Sequence, residues 1–253
     1  MHDTITPDRE CGLIIIGDEI LFGKRRDRHL EHFRGTLGER GLLLSRCWLL
    51  PDSPKVLIRH LRLSFEDPYP VFVCGGIGAT PDDRTRACAA EAANIPLKRH
   101  PEAALLIEER FGSEAYPSRI LMADLPSGCE LIPNPVSRIP GFSVKEHHFL
   151  PGFPEMAWPM AEWVLAHRYP RVAGLLEERS LKVLNTPESS LVPIMEALSG
   201  RFTSVSIFSL PRIGENRYIE LGFRGHDGCE QAMEALRDEL RRRNIPFEED
   251  GPH

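Results

Sequence analysis

A chain of 253 residues with 42% hydrophobic and 27% charged side chains is long and apolar enough to bury a proper core, which excludes a disordered protein. Its net charge of −6 provides no global grip on nucleic acid, because a phosphate backbone is held by clustered Lys and Arg. The N-terminal run MHDTITPDREC lacks the basic-then-apolar order of a secretion signal, and no stretch approaches the roughly 18 apolar residues of a membrane span. The expectation is a cytoplasmic protein with no membrane partner.

The first two-thirds alternates short apolar runs with helical patterns, the signature of parallel strands joined by crossover helices. Residues 11–16 (CGLIII) read as a buried strand ending at Gly17, and Leu30, Phe33 and Leu37 then recur at helical spacing up to Gly41. Residues 42–50 form the next strand. Asp52 and Ser53 offer helix caps, Pro54 suits a first turn, and Val56, Leu57, Leu61 and Phe65 make an apolar face. The run VFVC at 71–74 enters the turn GGIGATPDD, and a helix continues through Ala87, Ala90, Glu91 and Ala93 to Asn94. Residues 101–112 read as a helix, 121–154 as proline-broken strands and loops with 148–150 the best strand, and Met156 to His167 as a further helix.

The pattern resets around residues 169–179. Leu181–Leu184, Val205 with Ile207, and Ile219–Phe223 read as strands. Val192–Leu198 and Cys229–Leu240 read as helices, and 245–247 as a last strand. The fold class expected is therefore a three-layer α/β/α domain with a mostly parallel sheet over residues 1–172. A smaller α+β domain of split βαβ order follows over 178–253. The scattered cysteines, Cys11, Cys47, Cys74, Cys88, Cys129 and Cys229, form no CxxC pair and are read as buried thiols rather than disulfide or zinc ligands.

The chemistry concentrates in Cys74–Thr85. Gly75, Gly76 and Gly78 let the backbone approach a ligand, and the first amides of the following helix carry partial positive charge, so phosphate is the natural guest of Gly75, Gly76, Ile77, Gly78 and Thr80. The same pattern also makes an ordinary strand-to-helix turn. A carboxylate beside phosphate binds a divalent cation, positions a water or caps the helix, and adjacent residues do not share a helix face. One of Asp82 and Asp83 should therefore cap and the other, Asp83, should face the ligand.

Elsewhere, Asp18 and Glu19 are candidate metal ligands or solvated loop carboxylates. Lys24, Arg25, Arg26 and Arg28 are candidate diphosphate contacts or a solvated face. His147 and His148 alternate across a strand and cannot both face one metal. Arg241, Arg242 and Arg243 favour a helix C-terminus over nucleic acid.

The run GDEILFG at 17–23, followed by GGIGATPDDRT, resembles the molybdopterin-binding domain shared by molybdenum-cofactor biosynthesis proteins and the CinA proteins. The stretch MADLPSGCELIPNPVSRIPGF at 122–142 and LPGFPEM at 150–156 are similar to the CinA branch, and the likeness spans residues 11–168. Residues 178–250 look like the small module that follows in CinA proteins. The chain is not expected to hold the nicotinamide-nucleotide amidase domain of full-length CinA.

The resemblance implies a pocket formed by GDEIL with Gly17, GGIGATPDD with Asp82, and LPGFPEM with Gly152 and Glu155. It implies Asp83 and Asp52 as functional carboxylates, with a divalent metal (Mg, Mn or Co) near Asp18, Glu19 and Asp83. It implies cleavage of a pyrophosphate bond in a substrate such as ADP-ribose, or molybdopterin binding or adenylylation, and self-association as a dimer or trimer. The partner expected is a small phosphorylated molecule, a nucleotide diphosphate or a pterin. Cys74, Ala79 and His29 stand where the family usually has Ser or Thr, Pro and Asn.

Overall fold

The computed structural model describes residues 10–169, 176–212, 214 and 217–249. They fall into two compact units, one within Pro7–Arg171 and one within Val172–His253.

In the first unit the chain runs β1 (Glu10–Ile16), α1 (Asp18–Leu21), α2 (His29–Gly38), β2 (Leu43–Leu50), α3 (Pro54–Ser64), β3 (Val71–Cys74) and α4 (Thr85–Ala93). It continues through β4 (Leu97–Arg99), α5 (Pro101–Phe111), β5 (Asp124–Pro126), β6 (Glu130–Ile132), β7 (Gly141–Val144), β8 (His147–Leu150) and α6 (Pro154–Arg168). The main sheet has the order β2-β1-β3-β8-β7-β6. β2, β1, β3 and β8 are parallel neighbours, β7 and β6 follow antiparallel, and β4 pairs with β5 apart from the sheet.

Side-chain alternation along the strands builds two cores. Ile14, Ile16, Val71, Val73 and Phe149 meet Leu57 and Leu61 of α3, Cys88 and Ala89 of α4, and Ile107 of α5 on one face. On the other, the ring of Phe33 of α2 lies tilted 5.0 Å from Phe72 of β3, which lies 5.2 Å from His148 of β8. His32 of α2 stacks on Trp158 of α6, which buries Met160, Ala161, Val164 and Leu165. The result is the three-layer, mostly parallel architecture that the sequence pattern implies.

Two capping expectations are corrected. Ser53 precedes α3 without a side-chain cap, and Asp52 instead accepts the Asp18 amide at 3.0 Å, a long-range bond no local pattern encodes. Neither Asp82 nor Asp83 caps α4, which starts at Thr85 after Arg84, because the Asp83 carboxylate is already taken by Thr80.

The second unit contains β9 (Glu177–Leu184), α7 (Val192–Arg201), β10 (Val205–Arg212), β11 (Tyr218–Gly225), α8 (Cys229–Arg242) and β12 (Phe247–Glu249). Its antiparallel sheet has the order β10-β11-β9-β12, so β11 lies between the two strands of the first βαβ. The last strand begins later than the apolar pattern suggested, because the Ile245 amide still closes α8 onto the Leu240 carbonyl at 2.9 Å. Arg241 pairs with Asp238, and Arg242 and Arg243 pair with Glu239 on the exposed helix end. All six cysteines are free, and Cys47 is the exposed one.

The paired histidines of β8 serve the core. His147 Nδ1 donates to the Lys145 carbonyl at 2.8 Å, and its Nε2 accepts from Ser64. His148 bridges Ser143 and Tyr169, whose hydroxyl donates to Glu146. Burial pushes the two imidazoles down, His147 to about 4 and His148 to about 3. Because the unfolded chain binds these protons near pH 6.5 and the folded one does not, their stabilisation is complete above that pH and declines as pH falls toward 4. A thermal melting series should show Tm dropping by roughly 5 °C or more between pH 7 and pH 4.5. His148→Gln should flatten that slope; an unchanged slope would remove His148 as its source.

Candidate functional site

In the order β2-β1-β3, the chain leaves β1 toward one edge of the sheet and β3 toward the other, which opens a crevice at their carboxyl ends. A cleft of about 560 Å³ lies there, a size suited to a small ligand. It is lined by Ile16 at the end of β1 and Gly17 after it, Gly75–Gly78 after β3, and Pro151 and Gly152 after β8.

Gly75 has φ +118°, and a Cβ there would stand 2.2 Å from the Ile16 carbonyl oxygen. Gly76 has φ +67°, and a Cβ there would meet the buried, unpartnered Thr85 hydroxyl at 2.3 Å. Only glycine permits this turn. The Gly76 carbonyl accepts the Thr85 amide at 2.9 Å, and the Gly78 carbonyl accepts Arg86 Nη2 at 2.9 Å. In a trans peptide the N–H points opposite to the C=O, so the Ile77 and Ala79 amides face away from these partners. Among the described residues, the amides of Gly76, Ile77, Gly78 and Ala79 donate to no backbone carbonyl. They form a cluster of unpaired donors of the kind that cradles an anion.

Carboxylates ring this cradle. Asp52 is held by the Asp18 amide, and its carboxyl is raised above its ordinary value by burial, with the charges of Asp18, Glu19 and Asp82 acting in the same direction. Asp83 accepts the Thr80 amide at 2.9 Å and the Thr80 hydroxyl at 2.6 Å while still lining the cleft. Glu19 and Asp82 also line it. Arg25 supplies a cation, 3.8 Å from Glu19 and stacked 5.3 Å over the Phe153 ring.

The cleft walls thus gather Gly17, Glu19, Asp52, Gly75, Gly76, Ile77, Gly78, Thr80, Asp82, Asp83 and Gly152. Asp18 and Glu155 are not among them. Asp18 contributes its amide to Asp52, and Glu155, exposed in the first turn of α6, pairs with Arg28 at 3.3 Å. Arg28 also covers Trp158, and His29 Nε2 donates to the Gly152 carbonyl at 3.2 Å, so this basic segment fastens the loop before α6. Burial lowers the His29 pKa and keeps the ring neutral.

Of the opposite wall, only Phe153 and Met156 fall in a stretch, LPGFPEM, that the resemblance places at the pocket. Phe111 ends α5, Met122 lies in the single-turn helix Arg119–Ala123, and Ile139 and Pro140 precede β7; with Phe153 and Met156 they form an apolar side. Met122, Ile139 and Pro140, outside the long helices and strands, carry no periodic signal of where they point. Asn134 and Ser137 complete the rim, with the Asn134 carboxamide oxygen accepting the Val136 and Ser137 amides in an Asx turn that the PNP run does signal.

Among the described residues no three His, Cys, Asp or Glu groups converge on one ion position, so Asp18, Glu19 and Asp83 do not form a preassembled cage. The oxygen donors present still fit a Mg²⁺-like ion that takes one or two carboxylates and completes its shell with water and ligand phosphates. Beyond the larger effect of burial, the charges of Asp18, Glu19 and Asp82 raise the Asp52 carboxyl further, and such an ion offsets that local negative charge.

The family described as "Probable molybdopterin binding domain" matches residues 12–172, the stretch that builds the cleft. The chain belongs to the molybdopterin-binding-domain family. It is similar to a CinA-like protein of Geobacter sp. (strain M21), 32% identical over 239 residues, covering 91% of this chain and 57% of that protein. A CinA-like protein of Syntrophobacter fumaroxidans is 30% identical over 250 residues, covering 94% of this chain and 58% of its own length. The chain therefore spans less than two thirds of these curated relatives. The crystal structure of CinA from Thermoplasma acidophilum, described as of unknown function, aligns with TM-score 0.59 and 25% identity over 64% of this chain and 98% of that one. No helix among the described residues is long and apolar enough to cross a membrane.

The glycine turn gives a direct test of this molybdopterin-binding-domain site. Gly75→Ala should lower unfolding stability by about 2 kcal/mol or more, because its Cβ meets the Ile16 carbonyl at a positive φ. Gly35→Ala, in open space on α2, should instead raise stability by about 0.5–1 kcal/mol. Urea denaturation of the two variants checks both signs.

Proposed function

We propose that the cleft binds a phosphorylated nucleotide or pterin and hydrolyses a pyrophosphate bond in a substrate of the ADP-ribose type. The observation that carries this reading is the run of unpaired amides from Gly76 to Ala79, set among Glu19, Asp52 and Asp83 at the carboxyl ends of β1 and β3. The amides receive a phosphate, and the apolar wall of Phe111, Met122 and Ile139 receives a flat ring.

Glu19 and Asp83 are the residues that would hold a divalent cation, which when bound offsets phosphate charge and polarises the P–O bond. Asp52 accepts a proton from the attacking water. The water oxygen bonds to one phosphorus, the bridging P–O bond breaks, and its electron pair leaves on the second phosphate. ADP-ribose thereby gives AMP and ribose 5-phosphate. Asp83 orders the Thr80–Asp83 turn beside the cradle and lines the cleft.

Wild type should convert ADP-ribose to AMP with added Mg²⁺, Mn²⁺ or Co²⁺. Asp52→Asn should lower kcat by about 100-fold or more, and Asp83→Ala should lower kcat/KM by about tenfold or more. As a base, Asp52 must be ionised, so activity should fall as pH drops through its raised pKa, with an acid limb above the ordinary Asp value of about 3.9. Undiminished turnover in Asp83→Ala would remove Asp83 from the mechanism.

A second reading, pterin binding without turnover or with adenylylation, is motivated by Cys74, Ala79 and His29, which stand where the family usually has Ser or Thr, Pro and Asn. Mass spectrometry of co-purified ligand separates the two: an intact pterin supports binding, and a nucleoside monophosphate supports hydrolysis.

A further inference from the structure

Arg86, in the first turn of α4, is 9% exposed and does not line the cleft. Its guanidinium donates to three backbone carbonyls: Nη2 to Gly78 at 2.9 Å, and Nη1 to Asp124 at 3.1 Å and to Leu121. Its Nε is buried without a partner. A fork of fixed N–H directions is suited to tying several carbonyls at once, which a flexible ammonium does less well. Burial lowers its pKa, opposed by the charges of Asp124 and Asp83, and a guanidinium remains charged at neutral pH.

The three carbonyls belong to two different walls. Gly78 closes the glycine turn, and Leu121 and Asp124 bracket Met122 of the apolar side. Holding the Gly78 carbonyl also fixes the peptide that carries the Ala79 amide, whose N–H points away from Arg86.

We propose that Arg86 is the positioning residue of the cleft, locking the anion cradle and the apolar wall at one separation and directing the Ala79 amide toward a ligand phosphate. It touches no ligand and acts through Gly78 and Met122. The affinity part of this proposal rests on the reading of the cleft as a site for a phosphorylated ligand; the structural part does not.

Arg86→Met and Arg86→Lys test it, with amide hydrogen exchange read over residues 75–80 and 119–124 and ADP-ribose binding with Mg²⁺ read by calorimetry. In Arg86→Met the hydrogen-bonded amides of both segments, Gly75 and Thr80 in one and Leu121 in the other, should gain exchange together, by about tenfold or more, while β2 and the 177–249 unit stay unchanged. The Kd for ADP-ribose should rise about tenfold, and Arg86→Lys, which keeps the charge but reaches fewer carbonyls, should fall between. Exchange rising in one segment only, or in neither, overturns the proposal, as does joint loosening with unchanged Kd. If wild type does not bind ADP-ribose, the functional reading fails and the paired exchange response decides Arg86 alone. If Arg86→Met does not fold, the same two criteria applied to Arg86→Lys decide it.

Discussion

The close approach of Gly75 to the Ile16 carbonyl is the constraint on which the site depends. A Cβ at that point would come within 2.2 Å of the oxygen, so the ends of β1 and β3 can lie side by side only because the residue after β3 has none. The turn that follows takes positive φ at Gly75 and Gly76, and this reversal leaves amides unpaired while their carbonyls find partners in α4. Sheet register and ligand cradle are thus one feature. The Gly75 amide also donates to the Leu150 carbonyl at 3.0 Å, tying the same residue to the end of β8 and the loop that also lines the cleft.

Where the sequence was informative, a local rule and the tertiary arrangement agreed. VFVC is an uninterrupted apolar run because β3 is buried on both faces by helical layers, and the structure places it at Val71–Cys74. Ile219, Leu221 and Phe223 alternate because one face of β11 meets α7 and α8 in the smaller unit. His147 and His148, being adjacent on a strand, face opposite cores, so a shared ligand role was never open to them.

What was not legible depends on partners distant in the chain. Asp52 looked like a cap for α3 and is instead held by Asp18, 34 residues away; Glu155 looked like a pocket residue and pairs with Arg28, 127 residues away. The run Lys24–Arg28 reads equally as solvated or functional, and only the fold divides it, sending Arg25 to the cleft and Arg28 to Trp158. Arg86 sits in a helical stretch with no signal that its side chain turns inward to three carbonyls.

Two parts of the chain supply the two ends of the cleft by different physics. The polar end comes from βα turns whose geometry the parallel sheet dictates, so its amides cannot move without disturbing strand register. The apolar end comes from Phe111 at the end of α5, Met122 in a short helix and Ile139 in a loop, partly buried side chains that also pack against the core. The glycine turn and the apolar wall thus come from separate stretches of the chain that share one core. Arg86, bonded to both, ties the two halves directly.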